Sequence, residues 1–159
     1  MKKNKGFSLV ELIIVIAIMA ILAAAIAPAL IRYIDKSRRA DDVTAAGTIA
    51  TAVQSALANE DAYDQAMSAA GTNYANDILT ATADGNNEFN GTNVDVFKRE
   101  VNSNIGGNAP KIKFQKAPAA TAANCTWVVR VNSNGKPVVI LRANNTDIEL
   151  SPTIHDSYK

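Results

Sequence analysis

The side chains capable of nucleophilic or metal chemistry are few in this sequence. There is one cysteine, Cys125, and one histidine, His155. A zinc site of the usual type takes several Cys and His ligands held close together, and this pair does not make such a set. Phosphate-binding and nucleophile-elbow motifs do not occur in the sequence. We therefore expect no catalytic residues, no metal site and no cofactor.

Three short patterns are compatible with a bound ion or an attached sugar, and each is weak. Asn90-Gly91-Thr92 and Asn144-Asn145-Thr146 match the acceptor pattern for N-linked glycosylation, but both are also ordinary turn sequences. The run Asp84–Glu88 faintly resembles a calcium loop. It lacks the twelve-residue spacing of the EF-hand, so we interpret it as a turn.

The most informative charged residue is Glu11, because it lies within an apolar segment. From Phe7 to Ile31 only Ser8, Glu11 and Pro28 are not apolar. An acidic residue at the centre of a membrane helix costs about 2.5–3.5 kcal/mol on insertion scales, unless it is neutral or paired. An assembly helix gains from such a residue if a cation on a neighbouring chain meets it. Glu11 thus indicates a helix that packs against other copies.

A helix over residues 7–31 is long enough to cross a membrane. At 1.5 Å per residue it spans about 38 Å, against about 30 Å for a hydrocarbon core. Three lysines precede it, and the flank Arg32–Asp42 holds four basic and three acidic residues. The larger positive charge of the leader predicts that the N-terminus lies in the cytoplasm and the rest of the chain outside.

Two other interpretations of this segment remain open. An ordinary signal peptide has a basic start, an apolar stretch and a small-residue cleavage site, and Ala23–Ala25 or Ala25–Ala27 supplies such a site. The chain would then be a soluble secreted domain. The second alternative is a plain single-pass anchor. Neither gains anything from Glu11, which favours an assembly helix.

The residues around Glu11 resemble a known processing motif. They are Lys5-Gly6-Phe7-Ser8-Leu9-Val10-Glu11-Leu12, similar to the prepilin peptidase recognition motif of type IV pilins and type II secretion pseudopilins. The resemblance implies cleavage after Gly6, N-methylation of Phe7 as the new N-terminus, and a need for Glu11 in assembly. Pro28 matches a proline that is common in the family's helix, where it removes a hydrogen bond and introduces a kink or soft point.

The resemblance also implies a function. We expect a structural subunit rather than an enzyme, and a major pilin in preference to a pseudopilin of a type II secretion or DNA-uptake system. Its partners would be further copies in a helical filament, the prepilin peptidase and methyltransferase, the assembly platform protein and its ATPase. The precursor would lie in the cytoplasmic membrane and the mature chain in an extracellular pilus, with roles such as adhesion or twitching motility.

Periodicity extends the helix beyond the apolar segment. Val43, Ala46, Ala50, Val53 and Leu57 follow at spacings of three and four, which is one face of a helix. The sequence therefore divides into a leader (1–6), the membrane or filament-core half of the helix (7–31), an amphipathic half (32–59), a loop region with short helices (60–110) and a sheet with a tail (111–159). The charged run Arg32–Asp42 is interpreted as a solvated helix surface.

The remaining two-thirds predicts a small mixed head. Short helices are expected at Tyr63–Ala70, Tyr74–Thr80 and Val94–Asn102, and strands at Lys111–Lys116, Thr126–Asn132, Pro137–Arg142 and Asp147–Leu150. Trp127 and Cys125 are expected in the core. The predicted fold class is α+β and pilin-like: a long N-terminal helix packed against a small antiparallel meander.

Composition excludes some other classes. The formal net charge is +1, and the sequence shows no basic stripe, so no nucleic-acid site is expected. With one cysteine the chain cannot form an internal disulfide. The head must then be stabilised by packing alone.

Overall fold

The computed structural model describes residues 8–114 and 125–158. The chain divides into two compact units, Met1–Ser37 and Arg38–Lys159. In chain order the elements are α1 (Leu9–Ala56), α2 (Glu60–Ala70), β1 (Leu79–Thr82), α3 (Asp95–Ile105), β2 (Cys125–Val131), β3 (Pro137–Ala143), β4 (Thr146–Ser151) and a 3₁₀ turn at Asp156–Tyr158. This is the α+β class that the sequence predicts.

The first unit contains the apolar part of α1. Between Leu9 and Ile31 the large apolar side chains are 50–73 % exposed. The helix is long and apolar enough to cross a membrane, by length and composition. It continues without interruption through Pro28. This surface therefore belongs in lipid or against other chains.

The second unit begins with the amphipathic part of α1, whose inner face enters the head core. The buried apolar residues of this part follow at helical spacing and are Ala46, Ile49, Ala50, Ala52, Val53 and Ala56. Alanine dominates this face, which allows close approach of the packed elements. The charged flank, predicted as a solvated surface, includes one buried residue, Asp42. That prediction is wrong for Asp42, for a reason given with its contacts below.

A four-stranded antiparallel sheet forms the other side of the core. Its strand order is β1-β2-β3-β4. Trp127 and Cys125 on β2 are fully buried, as the sequence predicts. The strand β1 replaces part of the short helix expected at Tyr74–Thr80, so that prediction is wrong. Leu79–Thr82 pairs in register with β2, and this tertiary pairing overrides the weak helical pattern.

The strand predicted at Lys111–Lys116 is not found in the part of it that the structure describes. Residues 111–114 are not in a strand, and 115–124 lie outside the described residues. Ile112 and Phe114 are buried and Lys113 is exposed, so the predicted alternation of faces is present. The backbone N–H of Ile112 donates to the carbonyl of Ala83 at 3.0 Å rather than to a strand ladder.

Side chains connect the two short helices to the rest of the head. The Gln65 side chain of α2 accepts the backbone N–H of Val96 at 2.9 Å, in the first turn of α3. Asn102 of α3 is nearly buried and pairs with both backbone polar groups of Phe89, at 2.9 Å each. These bonds satisfy polar groups that would otherwise be buried alone.

Candidate assembly site

The first turn of α1 forms a reciprocal cap between two side chains. The backbone N–H of Ser8 donates to Oε2 of Glu11 at 2.8 Å. The backbone N–H of Val10 donates to Oγ of Ser8 at 3.4 Å. A serine before the first helical residue with a glutamate three residues later is the capping box, which satisfies N–H groups that have no partner inside the helix.

The cap gives Glu11 a partner within its own chain. A carboxylate in the first helical turn also interacts favourably with the positive end of the helix dipole. From the sequence, Glu11 was expected to pair with a neighbouring chain and to lie favourably in the first helical turn, but its partner Ser8 was not identified. The signal was present, because Ser8-Leu9-Val10-Glu11 is the S-x-x-E pattern directly before an apolar run.

The other residues predicted for processing and assembly are placed only in part. Gly6 and Phe7 lie outside the described residues. Pro28 is inside α1, seventeen residues after Glu11 along the sequence, and its ring removes one backbone N–H from the helix. The two described residues are thus about 25 Å apart along the helix axis. They lie on the same exposed apolar stretch and form no common site.

Asp42, in the amphipathic part of α1, fixes the segment that follows α3. Its Oδ1 accepts the backbone N–H of Lys113 at 2.7 Å, and its Oδ2 accepts that of Phe114 at 3.0 Å. The neighbouring Asp41 pairs at 3.1 Å with the ammonium group of Lys113 on the exposed side. The carboxylate thus takes the place of a partner strand for residues 113 and 114, which explains why Asp42 is buried.

Burial shifts the titration of the groups around Asp42. Loss of hydration raises the pKa of Asp42 above its ordinary value, while its two N–H donors act in the opposite direction. The pKa of Tyr158 and that of the Cys125 thiol are also raised. The main cause is burial, and the second is the negative charge of Asp42. Cys125 is therefore a buried thiol whose pKa is raised, which disfavours the reactive thiolate form.

Aromatic contacts continue this junction within the second unit. The Arg39 guanidinium lies 4.5 Å from the ring centroid of Phe114. The Phe114 ring meets Tyr158 edge-on, with centroids 5.6 Å apart. The 3₁₀ turn at the C-terminal end therefore packs on the same segment that Asp42 holds.

A network of four charged side chains lies on the outer face of the sheet. Arg142 bonds Asp147 at 2.6 Å and also pairs with Asp77. Arg130 bonds Asp77 at 2.8 Å and Asp147 at 2.9 Å. Both guanidinium groups therefore share the same two carboxylates. The hydrogen bond from Arg142 is the main cause that lowers the pKa of Asp147, against partial desolvation.

Two apolar residues on the outer face of the sheet lie between the arginines of this network along the strands. Val128 of β2 pairs with Ile140 of β3, and both are buried although they face away from the main core. Arg130 lies two residues beyond Val128 and Arg142 two residues beyond Ile140, on opposite sides of the pair. Because both arginines bond the same carboxylates, the network extends along the outer face on both sides of this pair.

Within residues 8–114 and 125–158 no group of three or more His, Cys, Asp or Glu side chains is placed to hold a metal ion. The acidic run at 84–88 is a local turn in which Asp84 accepts the backbone N–H of Asn86 at 3.0 Å. The widest exposed apolar surface in the described chain is the N-terminal part of α1. The chemistry that this surface supports is association, with lipid or with other chains.

Comparisons with known proteins agree with this interpretation. Residues 1–27 match the family model described as the prokaryotic N-terminal methylation motif. The chain is 34 % identical over 84 residues to the type IV major pilin protein PilA of Myxococcus xanthus (strain DK1622). That match covers 53 % of this chain and 34 % of the relative, so the chain spans about a third of the length of the curated relative it matches. No solved structure matches the chain significantly.

Three findings are consistent with a role for α1 in assembly. The methylation motif lies at the N-terminus, α1 begins with an exposed apolar stretch capped at Glu11, and the head contains a small antiparallel sheet. The pilin family is a family of structural subunits. The chain is thus similar at its N-terminus to proteins with the N-terminal methylation motif, and over 84 residues to a type IV major pilin.

Proposed function

We propose that the chain is the major structural subunit of a type IV pilus and that it assembles through the N-terminal part of α1. The observation that carries this proposal is the exposed apolar surface from Leu9 to Ile31, interrupted by a single acidic residue near its start. A solvated surface of this size is unfavourable, so it must be covered by lipid or by protein. A filament of identical helices provides the second kind of cover.

Processing creates the assembling form. The leader 1–6 is cut after Gly6 by a prepilin peptidase, and the new N-terminal Phe7 is methylated. The match of residues 1–27 to the methylation motif supports this step. Cleavage removes three lysines and exposes an α-amino group four residues before Glu11. The first turn of the mature helix thus carries one positive and one negative group.

Glu11 then sets the register between neighbouring subunits. Its carboxylate receives the α-amino group of Phe7 on an adjacent chain. The cap described above is compatible with this contact, because an ionised carboxylate has about four acceptor positions and the Ser8 N–H occupies one. Each charge lowers the cost of burying the other, and removal of one strands its partner at a cost of about 3–5 kcal/mol.

Pro28 has a mechanical role in this proposal. Its missing N–H leaves one carbonyl of α1 without its helical donor, which lowers the resistance of the helix to bending or unwinding at that point. The helix can then adapt when it leaves the bilayer and packs into a filament. The precursor lies in the cytoplasmic membrane with its N-terminus inside, and a platform protein with its ATPase transfers the mature subunit to the filament.

The role of Glu11 is tested in the native host with Glu11→Ala. We expect a correctly processed protein that remains in the membrane fraction, with no filaments in the material sheared from the cell surface. Normal filaments from this variant would contradict the register role of Glu11. The wild type tests the pseudopilin alternative. That alternative would be favoured if the wild-type subunits are processed but form only short fibres at the envelope, with little protein in the sheared fraction.

A further inference from the structure

The glycosylation-like patterns at Asn90 and Asn144 have different structural settings, and a third, Asn124-Cys125-Thr126, begins outside the described residues. Each has the form Asn-x-Thr, in which the Asn side chain accepts a sugar and the Thr hydroxyl is required for recognition. The fold itself can require Asn or Gly at such positions for turn geometry. If turn geometry accounts for every residue of a pattern, the pattern gives no support for a sugar. If some of its residues are not required by the turn, glycosylation is a reason for their presence.

The turn between β3 and β4 explains the second pattern. Asn144 and Asn145 have φ of 47° and 62°, so both are in the left-handed region. They form the two-residue connection of a hairpin in which Ala143 pairs with Thr146. Asparagine is favoured in such turns because it tolerates positive φ. This pattern therefore needs no further function.

In the first pattern, backbone geometry requires a particular residue only at the middle position. A Cβ atom on Gly91 would lie 2.3 Å from the carbonyl oxygen of Ile78, so only glycine fits there. Asn90 pairs through its backbone N–H and carbonyl with Thr80, at 2.9 and 2.8 Å. Its φ is not in the left-handed region, so the backbone does not require asparagine. The exposed Thr92 hydroxyl makes no hydrogen bond within the described residues.

The Asn90 side chain is presented in a form suited to modification. It is exposed, and its Oδ1 accepts the backbone N–H of Gly91 at 2.9 Å. The amide nitrogen Nδ2, which is the atom that a sugar would bond, is not engaged in that contact. The backbone pairing with Thr80 holds the residue at the edge of the sheet, so an attached group points away from the core.

An open polar groove lies directly beside Asn90. It has a volume of about 400 Å³, and its lining includes Asn76, Thr80 and Thr92. Amide and hydroxyl groups of this kind bond sugar hydroxyls, and the volume is in the range of small-molecule sites. Asp77, which also lines the groove, is already paired with Arg130 and Arg142. The groove is therefore suited to a neutral sugar ring.

We propose that Asn90 is a site of N-linked glycosylation and that the first sugar lies in this groove. The donor is a sugar carried on a lipid diphosphate, transferred by a glycosyltransferase of the host. Nδ2 of Asn90 bonds the anomeric carbon, the carbon–oxygen bond to the diphosphate breaks, and the lipid diphosphate leaves. One amide proton passes to a base of the enzyme. The site rests on the proposed function in one respect, the export of the head.

The test is intact-mass analysis of the full chain from its native host, with fragment ions that retain the sugar linkage. We expect a mass above that of the processed polypeptide, with the increment on Asn90. Thr92→Ala should lose the increment completely while the Asn-Gly pair is retained. Thr92→Ser, which keeps the hydroxyl, and Asn144→Gln, which removes only the second pattern, should keep it.

Three results would overturn the site: the bare polypeptide mass, an increment that survives Thr92→Ala, or a sugar bonded to the Thr92 oxygen. Protease treatment of intact cells separates this failure from failure of the proposed function. If the head is unmodified but is digested from outside the cell, only the glycosylation proposal is contradicted. If the head is protected inside the cell, export is contradicted, and the glycosylation proposal, which depends on export, fails as well.

Discussion

The Ser8 N–H and the Glu11 carboxylate are joined at 2.8 Å across the first turn of α1. Glu11 therefore has two separable properties, an acceptor for the helix cap and a negative charge. Glutamine keeps an acceptor at the third helical position and loses the charge, since either residue serves in a capping box. Substitutions at these two positions can thus distinguish the cap from assembly.

We predict that Ser8→Ala weakens the start of α1, while Glu11→Gln leaves it in place but prevents filament formation. Loss of a serine cap costs about 1 kcal/mol, which is about a fivefold change in local opening. Amide exchange of residue 10, measured on the processed protein in micelles, reports this change. Ser8→Thr is the matched control and should behave like the wild type. Filaments formed normally by Glu11→Gln would show that the charge is not needed.

The processing site predicts a second phenotype. Gly6→Glu adds volume and negative charge at the position where the resemblance implies cleavage, so we expect the leader to remain on the protein. The measurement is the mass of the N-terminal peptide from membranes. Lys5→Arg keeps the charge of the leader and serves as the control, with normal cleavage expected. A chain that still begins at Phe7 in the glutamate variant would contradict cleavage after Gly6.

Asp42 provides a test of the packing in the head. Asn in its place retains one acceptor oxygen but presents an NH₂ group to the second backbone N–H, so one buried donor is left without a partner. We expect Asp42→Asn to lower the free energy of unfolding by about 1–3 kcal/mol. Urea unfolding in detergent, followed by the fluorescence of the single tryptophan Trp127, measures this loss.

Asp41→Asn is the matched control for this experiment. The Asp41 carboxylate lies on the exposed side, where it forms an ion pair with the ammonium group of Lys113 at 3.1 Å. An exposed ion pair contributes about 0–1 kcal/mol, so a small change is expected. Equal effects of the two substitutions would mean that the bonds from Asp42 to the backbone are not what stabilises this segment.

The charge network on the sheet predicts a loss of stability in acid. The pKa of Asp147 is lowered below its ordinary value of 3.8, chiefly by the hydrogen bond from Arg142, and that of Asp77 is also lowered. A carboxylate with a lowered folded-state pKa contributes stability above its unfolded pKa. That contribution is lost as the pH falls through the folded pKa. Unfolding should therefore become easier below about pH 4.

Asp147→Asn should lower the free energy of unfolding at pH 7 by about 1 kcal/mol. It should also make the free energy of unfolding depend less on pH in acid. The measurement is Trp127 fluorescence in urea at several pH values. Asp95→Asn, which removes the exposed 3.0 Å pair with Lys98, is the control. Burial raises the pKa of Asp42, so its contribution changes with pH in the opposite sense, and each variant is therefore compared with the wild type at the same pH. An unchanged acid dependence in Asp147→Asn would contradict the role of the network.

Local patterns made much of the fold predictable. The three-and-four spacing that starts at Val43 indicated the inner face of α1, and the strand patterns at Thr126–Asn132 and Pro137–Arg142 indicated β2 and β3. These signals are local because the residues that share a face or a turn are close in sequence. The capping box at Ser8 was equally local and could have been found.

Long-range contacts set the features that the sequence did not reveal. Leu79–Thr82 forms a strand because β2, more than forty residues later, offers a free edge. Asp42 is buried because it bonds amides 71 and 72 residues away. Nothing in the charged run Arg32–Asp42 distinguishes this carboxylate from its neighbours. Such partners are chosen by tertiary packing, which short-range periodicity does not encode.

We propose that the mature chain begins at a processed Phe7 and that α1 carries it into a surface filament. The most direct measurement is intact-mass and N-terminal peptide analysis of the protein sheared from the surface of its native host. We predict a chain that starts with N-methylated Phe7 and is abundant in that fraction. A chain that starts near Ala29 in the culture medium would mean ordinary secretion, and it would contradict both the assembly role of Glu11 and the proposed pilus.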